Sequence, residues 1–165
     1  GTWHIDPAYT TNADWQNVQF SSLRMVSATE GWAVGDRDNG GNAYSGVIAH
    51  YCGGKWTLAG PANLARADAL ADTNLTSVTM VSPTEGWLTG VHLKGSLLGG
   101  FVLHYLNGRW QAVNLPLVTG CVPQAISMAS AADGWVVGNC YITAKGMLET
   151  FLLHYSNGAW SFYHS

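Results

Sequence analysis

The stretch LRMVSATEGWAVG at residues 23–35 returns as VTMVSPTEGWLTG at 78–90 and as AISMASAADGWVVG at 125–138. After a stretch that differs from copy to copy, each is followed by a second shared segment. These are GVIAHYCGGKWTL at 46–58, GFVLHYLNGRWQAV at 100–113 and TFLLHYSNGAWSFY at 150–163. The Gly-Trp pairs at Trp32, Trp87 and Trp135 lie 55 and 48 residues apart, and the His-Tyr pairs at His50, His104 and His154 lie 54 and 50 apart. Two markers with one period establish a threefold internal repeat, and a period near fifty belongs to units that cannot bury their own faces and must stack. The chain opens on Gly1-Thr2-Trp3, which matches the closing Gly-x-Trp of each copy (Trp56, Trp110, Trp160), and Trp3 precedes Trp56 by 53 residues. The expected organisation is one domain over 1–165, with a partial unit at 1–8 and full units at 20–60, 75–115 and 124–164.

Within a unit, short runs of β-branched and aromatic residues alternate with turn signals, which predicts four antiparallel strands, here termed A to D. Ser82-Pro83-Thr84-Glu85-Gly86 is the clearest turn between strands A and B. Asn107-Gly108 and Asn157-Gly158 are two-residue hairpin turns between strands C and D, because both residues must take positive φ. A helical period is absent except for a weak one around Asn63 to Asp72, in the link between the first two units.

Four-stranded units of this length predict an all-β chain of β-propeller-type blades: three four-stranded antiparallel blades plus one extra N-terminal strand from a preceding blade. The combination of an acidic-Gly-Trp-x-x-Gly strand with a later Gly-x-Trp turn resembles bacterial neuraminidase-type and photosystem-II-assembly-factor-like propeller repeats. Gly31-Trp32-Ala33-Val34-Gly35 matches the strand those families carry, whereas Gly53-Gly54-Lys55-Trp56 lacks the Asp and Thr of their following turn. The resemblance implies a propeller and leaves the activity open. Propellers close with about four to eight blades, so three blades imply completion by other copies of the chain or by further blades. Uncovered blade faces and strand edges are otherwise an aggregation hazard.

Composition narrows the function classes. Asp, Glu, Lys and Arg make up 10% of the chain, against about 25% in a typical soluble domain, which excludes coiled coils and charged disordered chains. A net charge of −3 with seven scattered basic residues offers no basic face for nucleic acid. No apolar run reaches the length of a membrane span. Ser, Thr and Asn supply 35 residues, Gly 20 and Trp eight. Such a polar, uncharged surface suits short strands and tight turns, and an extracellular or cell-surface address.

The repeat separates scaffold from function, because what recurs in every blade is structural and what occurs once is a candidate site. His50, His104 and His154 recur, so hydrogen bonding within or between blades is expected of them rather than metal ligation. The recurring Trp32, Trp87, Trp135, Trp56, Trp110 and Trp160 read as wedges between blades, with sugar stacking as the alternative. The unique loop Asp36-Arg37-Asp38-Asn39-Gly40-Gly41-Asn42 alternates oxygen ligands at Asp36, Asp38 and Asn42, a weak Ca²⁺ pattern that lacks the Glu of an EF-hand. Asp36, Arg37, Asp38, Asn42, His92 and Lys94 are the loop candidates for binding.

Cys121 and Cys140 flank the A–B hairpin of the third unit within one bulge of direct opposition, so a cross-strand disulfide is expected, with two reduced buried thiols as the alternative. Cys52 has no evident mate. Asn74-Leu75-Thr76 is a glycosylation sequon, expected in a link between units. Arg24, Arg37, Arg66 and Arg109 occupy no equivalent positions, Glu30, Glu85 and Asp133 are turn residues, and no nucleophile–base set stands out, so no catalytic residue and no cofactor are expected. The expected function is non-catalytic, in protein binding or self-assembly. The alternatives are a lectin-like carbohydrate-binding module and a piece of a larger propeller hydrolase. The expected partners are other copies or further blades, with a carbohydrate or protein ligand.

Overall fold

A computed structural model describes residues 2, 13–59, 70–93, 99–117, 119–142 and 146–163. It contains twelve strands in three four-stranded antiparallel sheets, each a simple meander. The first blade is β1 (Val18–Ser27), β2 (Glu30–Asp38), β3 (Tyr44–Cys52) and β4 (Lys55–Leu58). The second is β5 (Thr73–Ser82), β6 (Glu85–His92), β7 (Gly99–Leu106) and β8 (Arg109–Val113). The third is β9 (Cys121–Ser130), β10 (Asp133–Ile142), β11 (Met147–Ser156) and β12 (Ala159–Phe162). One 3-10 turn at Ala13–Trp15 precedes them, and no α-helix occurs among the described residues. The extra strand expected at 1–8, Trp3 and most of the weak helical stretch from Asn63 lie outside the described residues.

Local chemistry accounts for the meander. Asn107 and Gly108 have φ of 49° and 92°, and Asn157 and Gly158 have 53° and 78°. These left-handed pairs match the right-handed strand twist and fix the register of each outer hairpin. In β6 and β10 the Gly before the recurring Trp is required by space: a Cβ at Gly86 would fall 2.1 Å from Met80 Sδ, and at Gly134 2.1 Å from Met128 Sδ. The second Gly of the same motif clears a neighbouring strand, since a Cβ at Gly90 would sit 2.5 Å from the ring of Phe101 and one at Gly138 2.6 Å from that of Phe151. Gly-Trp-x-x-Gly is thus a packing motif. Both glycines fall on one face of the sheet and the Trp on the other, as strand alternation demands.

Each blade has a front face, carrying that Trp, and a back face, carrying the glycines and the Met. The front of each blade packs on the back of the next. Trp32, Val34 and Ile48 of the first blade share a buried cluster with Val78, Met80, Leu88, Leu103, Tyr105 and Trp110 of the second. Trp87 and Val102 of the second share another with Ile126, Met128, Val136, Phe151, Leu153 and Trp160 of the third. Fully burying one such aliphatic or aromatic side chain stabilises by about 1.5–3 kcal/mol. The innermost strands are tied by the same bond at both interfaces: Val78 N–H donates to Ser22 Oγ at 3.2 Å, and Ile126 N–H to Ser77 Oγ at 3.3 Å.

Cys121 and Cys140 are directly opposed on β9 and β10 and joined by a disulfide. Two one-residue bulges in β9, between the pairs at Asp133 and Gly134 and between those at Val137 and Gly138, bring them into register. The sequon residues lie inside β5 rather than in a link. Leu75 is fully buried, Asn74 Nδ2 donates to Asp36 Oδ1 at 2.9 Å, and Thr76 Oγ1 donates to the Pro123 carbonyl at 3.0 Å.

Candidate functional site

The unit that recurs on every front face is an acid–Trp–His cluster. Glu30 and Trp32 are two residues apart on β2, so they share a face, and His50 lies opposite Trp32 on β3. His50 Nε2 donates to Glu30 Oε1 at 2.5 Å while its ring stacks on Trp32, centroids 4.1 Å apart. The second blade repeats this with His104, Glu85 (3.2 Å) and Trp87 (4.3 Å), and the third with His154, Asp133 (2.6 Å) and Trp135 (4.3 Å). Each carboxylate therefore orients an imidazole rather than merely shaping a turn, a pairing that the sequence did not disclose. A cross-strand count, placing His opposite Trp and diagonal to the acid, is the signal that would have found it.

The back face carries a second recurring pair. The Tyr after each His points to the back and meets the Trp of the outer strand: Tyr51 with Trp56 at 5.2 Å, Tyr105 with Trp110 and Tyr155 with Trp160, both at 5.0 Å. At the interfaces front meets back. The Trp32 ring lies 4.7 Å from Tyr105 and 5.7 Å from Trp110, and Trp87 lies 5.9 Å from Tyr155. Burial and the nearby Glu30 carboxylate together push the Tyr105 hydroxyl above its ordinary pKa, so it stays neutral and remains a donor.

The reading of all six Trp as enclosed wedges holds for Trp32, Trp87, Trp110 and Trp160, which are buried, and needs correction for Trp56 and Trp135, which are half-exposed. Trp56 is on the back of the first blade and Trp135 on the front of the third, the two faces against which no described blade packs. Neighbouring apolar residues follow the same division. Leu23 is 59% exposed, whereas its counterparts Val78 and Ile126 are 5% and 6% exposed. Val137 is 38% and Leu152 39% exposed, whereas the counterparts of Val137, Val34 and Thr89, are both 0% exposed. Among the described residues eleven large apolar side chains are exposed. Eight lie on these two end faces: Phe20, Leu23 and Met25 at one end, and Val137, Tyr141, Leu148, Leu152 and Tyr163 at the other.

The loop candidates are dispersed. Asp36 is buried against the second blade and accepts from Asn74, and burial first, then the Asp38 charge, raise its carboxyl above the ordinary carboxylate range. Asp38 Oδ1 accepts the Gly40 N–H at 2.7 Å, Arg37 Nη2 donates to the Asp14 carbonyl, and Asn42 occupies a left-handed turn at φ 65°. Among the described residues no three His, Cys, Asp or Glu side chains gather as a cation would require. His92 is exposed at the end of β6 with its ring 4.8 Å from that of Phe101, and Lys94 lies outside the described residues. Cys52 is an exposed free thiol at the end of β3. A shallow depression opens where the inner turns meet, lined by Arg24, Ser82, Glu85 and Ser130 among others. Among the described residues no helix is long and apolar enough to cross a membrane.

No family model matches the chain, and no curated protein does. Among solved structures the chain is similar in fold to a fucose lectin from Kordia zhangzhouensis in complex with methyl-fucoside. That likeness has a TM-score of 0.54 and 8% sequence identity, and covers 87% of this chain and 97% of that one. The chain is an all-β protein of propeller-type blades, three of them laid front to back.

Proposed function

We propose that this chain is a non-catalytic binding protein whose first ligand is more blade: it completes its sheet stack by joining further blades at its two ends. The observation that carries this reading is the segregation of exposed apolar residues onto the back of the first blade and the front of the third. Contiguous apolar surface of that kind marks an interaction site. The His–carboxylate pairs support a scaffold role, since each imidazole is held flat against a Trp and the arrangement recurs in every blade. The resemblance of Gly31–Gly35 to neuraminidase-type repeats supports the same architecture. The Cys121–Cys140 disulfide favours an oxidising compartment, hence the extracellular space or a cell surface.

The test is the mass of the chain by light scattering across a concentration series. Association at micromolar concentration, giving masses above 17.6 kDa, is the expected result. A 17.6 kDa species at every concentration would contradict the reading.

A second reading, carbohydrate binding, is favoured by the fold likeness to a lectin in complex with methyl-fucoside. Among the described residues the half-exposed indoles are Trp15, Trp56 and Trp135, whereas Trp32 and Trp87 are enclosed. Titration with methyl-fucoside, followed by tryptophan fluorescence, separates the two readings. A saturable shift supports the second, and a flat response at millimolar sugar removes it.

A further inference from the structure

We infer that the partner at both ends is a second copy of this chain, docked head to tail, so that two chains close a six-blade ring. The inference rests on the proposed association of blades and adds its geometry. Both interior interfaces join a front to a back, so the contact that would cover the end faces is already built twice inside the chain. At the first, Trp32 of a front meets Tyr105 and Trp110 of a back; at the second, Trp87 meets Tyr155. The open front offers Trp135 stacked on His154, and the open back offers Tyr51 against Trp56. The equivalent contact places Trp135 of one copy against Tyr51 and Trp56 of the other.

Four further exposed side chains match in the same way. Val137 and Leu152 stand where Val34 and Ile48 enter the first interface, and Leu23 and Met25 stand where Val78 and Met80 receive them. The open front also differs: Tyr163 stands edge-on to Trp135 at 5.1 Å where the other blades carry Ala59 and Val113, and the inner-strand bond changes. Ser22 and Ser77 accept the inner-strand N–H at the interior interfaces, and Ala125 stands at that place on the open front. The joint between copies therefore lacks the hydroxyl bond and depends on apolar packing, as befits a contact that assembles after folding.

Front-to-back contacts are heterologous, and a heterologous contact makes a ring when its rotation closes and a filament when it does not. Propellers close at about four to eight blades. The described residues form three blades, so two such sets supply six, within that range, whereas three would supply nine.

The experiment uses Leu23→Arg, which places a charge on the open back, and Val137→Asp, which places one on the open front. Both residues are solvent-exposed in the single chain, so both variants fold, which circular dichroism verifies. Wild type is expected at twice the chain mass by light scattering. Each variant alone is expected as a monomer. An equimolar mixture is expected to regain the double mass, because the intact front of one variant meets the intact back of the other. Failure of the mixture to associate, retention of the double mass by either variant alone, or masses well above two copies would each overturn the head-to-tail ring while leaving association itself standing. A wild-type monomer at all concentrations would overturn the ring together with the reading beneath it.

Discussion

The middle blade and the two outer blades share one motif and live in different surroundings. Met80 and Trp87 of the middle blade are enclosed, whereas Met25 at one end is exposed and Trp135 at the other is half-exposed. The Trp–His stack is unchanged between them, at 4.3 Å in the second and third blades alike. The internal geometry of a blade is thus set locally, by strand alternation and hairpin turns. Burial is a property of the stack.

The sharpest way to break this comparison is to remove the same side chain from an enclosed and an open position. Trp87→Ala is expected to cost about 3–5 kcal/mol, the range for deleting a large aromatic from a packed core. Trp135→Ala, measured by urea denaturation at a dilution where the chain is monomeric, is expected to cost less than half as much. Equal costs would mean that the open front is covered by something other than a second blade.

Next in size is the disulfide, which braces the third blade alone. Cys121 and Cys140 are 19 residues apart, and a loop of that size is worth about 3 kcal/mol in the chain-entropy account. Reduction, or the double change to Ala, is expected to lower the urea midpoint by a corresponding amount. It should not alter the near-ultraviolet signal of Trp32, in the first blade.

A smaller effect distinguishes equivalent glycines. A Cβ on Gly86 meets Met80 Sδ at 2.1 Å and the Thr79 carbonyl at 2.6 Å, with Met80 locked by the first blade. Gly86→Ala is therefore expected to cost about 1–3 kcal/mol as an overpacking change. A Cβ on Gly31 meets Met25 Sδ at 2.4 Å, but Met25 is free to swing away and the nearest carbonyl, that of Arg24, is 3.2 Å off. Gly31→Ala should cost well under half as much, by thermal or urea unfolding of the two variants side by side.

The smallest effect is electrostatic. Asp36 has its pKa raised by burial, so the folded chain takes up its proton at higher pH than the unfolded chain does. The charged carboxylate costs stability at neutral pH, and that cost disappears as pH falls through the raised value toward the ordinary carboxylate range near pH 4. Asp36→Asn keeps an oxygen for Asn74 and is expected to be mildly stabilising at pH 7. The gain should fade on acidification, read as the difference between the two stability curves from pH 7 to pH 3.

Much of the blade was legible in the residues because it depends on neighbours in sequence. Asn107-Gly108 and Asn157-Gly158 dictated their turns through backbone sterics, and the hairpin about Ala131 to Asp133 brought Cys121 close enough to Cys140 for a bridge to be expected. The acid–His pairs were not seen because they join strands B and C across a loop of variable length. Glu30 and His50 become neighbours only once the register of β2 on β3 is known. The burial of Asp36 depends on Asn74 of the next blade, a contact with no local signature. The contrast between enclosed and open Trp was hidden for a different reason. The repeat writes the same Trp in every copy, and only the stack shows which of the described blades is covered.

The most direct measurement of the central claim is a cross-link at the one inner-strand contact whose geometry the chain repeats. Ser22 Oγ with Val78 N–H and Ser77 Oγ with Ile126 N–H define that contact, and Ala125 with Leu23 of the next copy is its continuation. Cysteines at both places, in a Cys52→Ser background, are to be oxidised at low concentration and run on a non-reducing gel beside the two single-cysteine controls. Covalent two-chain species that appear with the pair and not with either control are the predicted result. A band that stays at one chain mass would contradict head-to-tail completion of the stack.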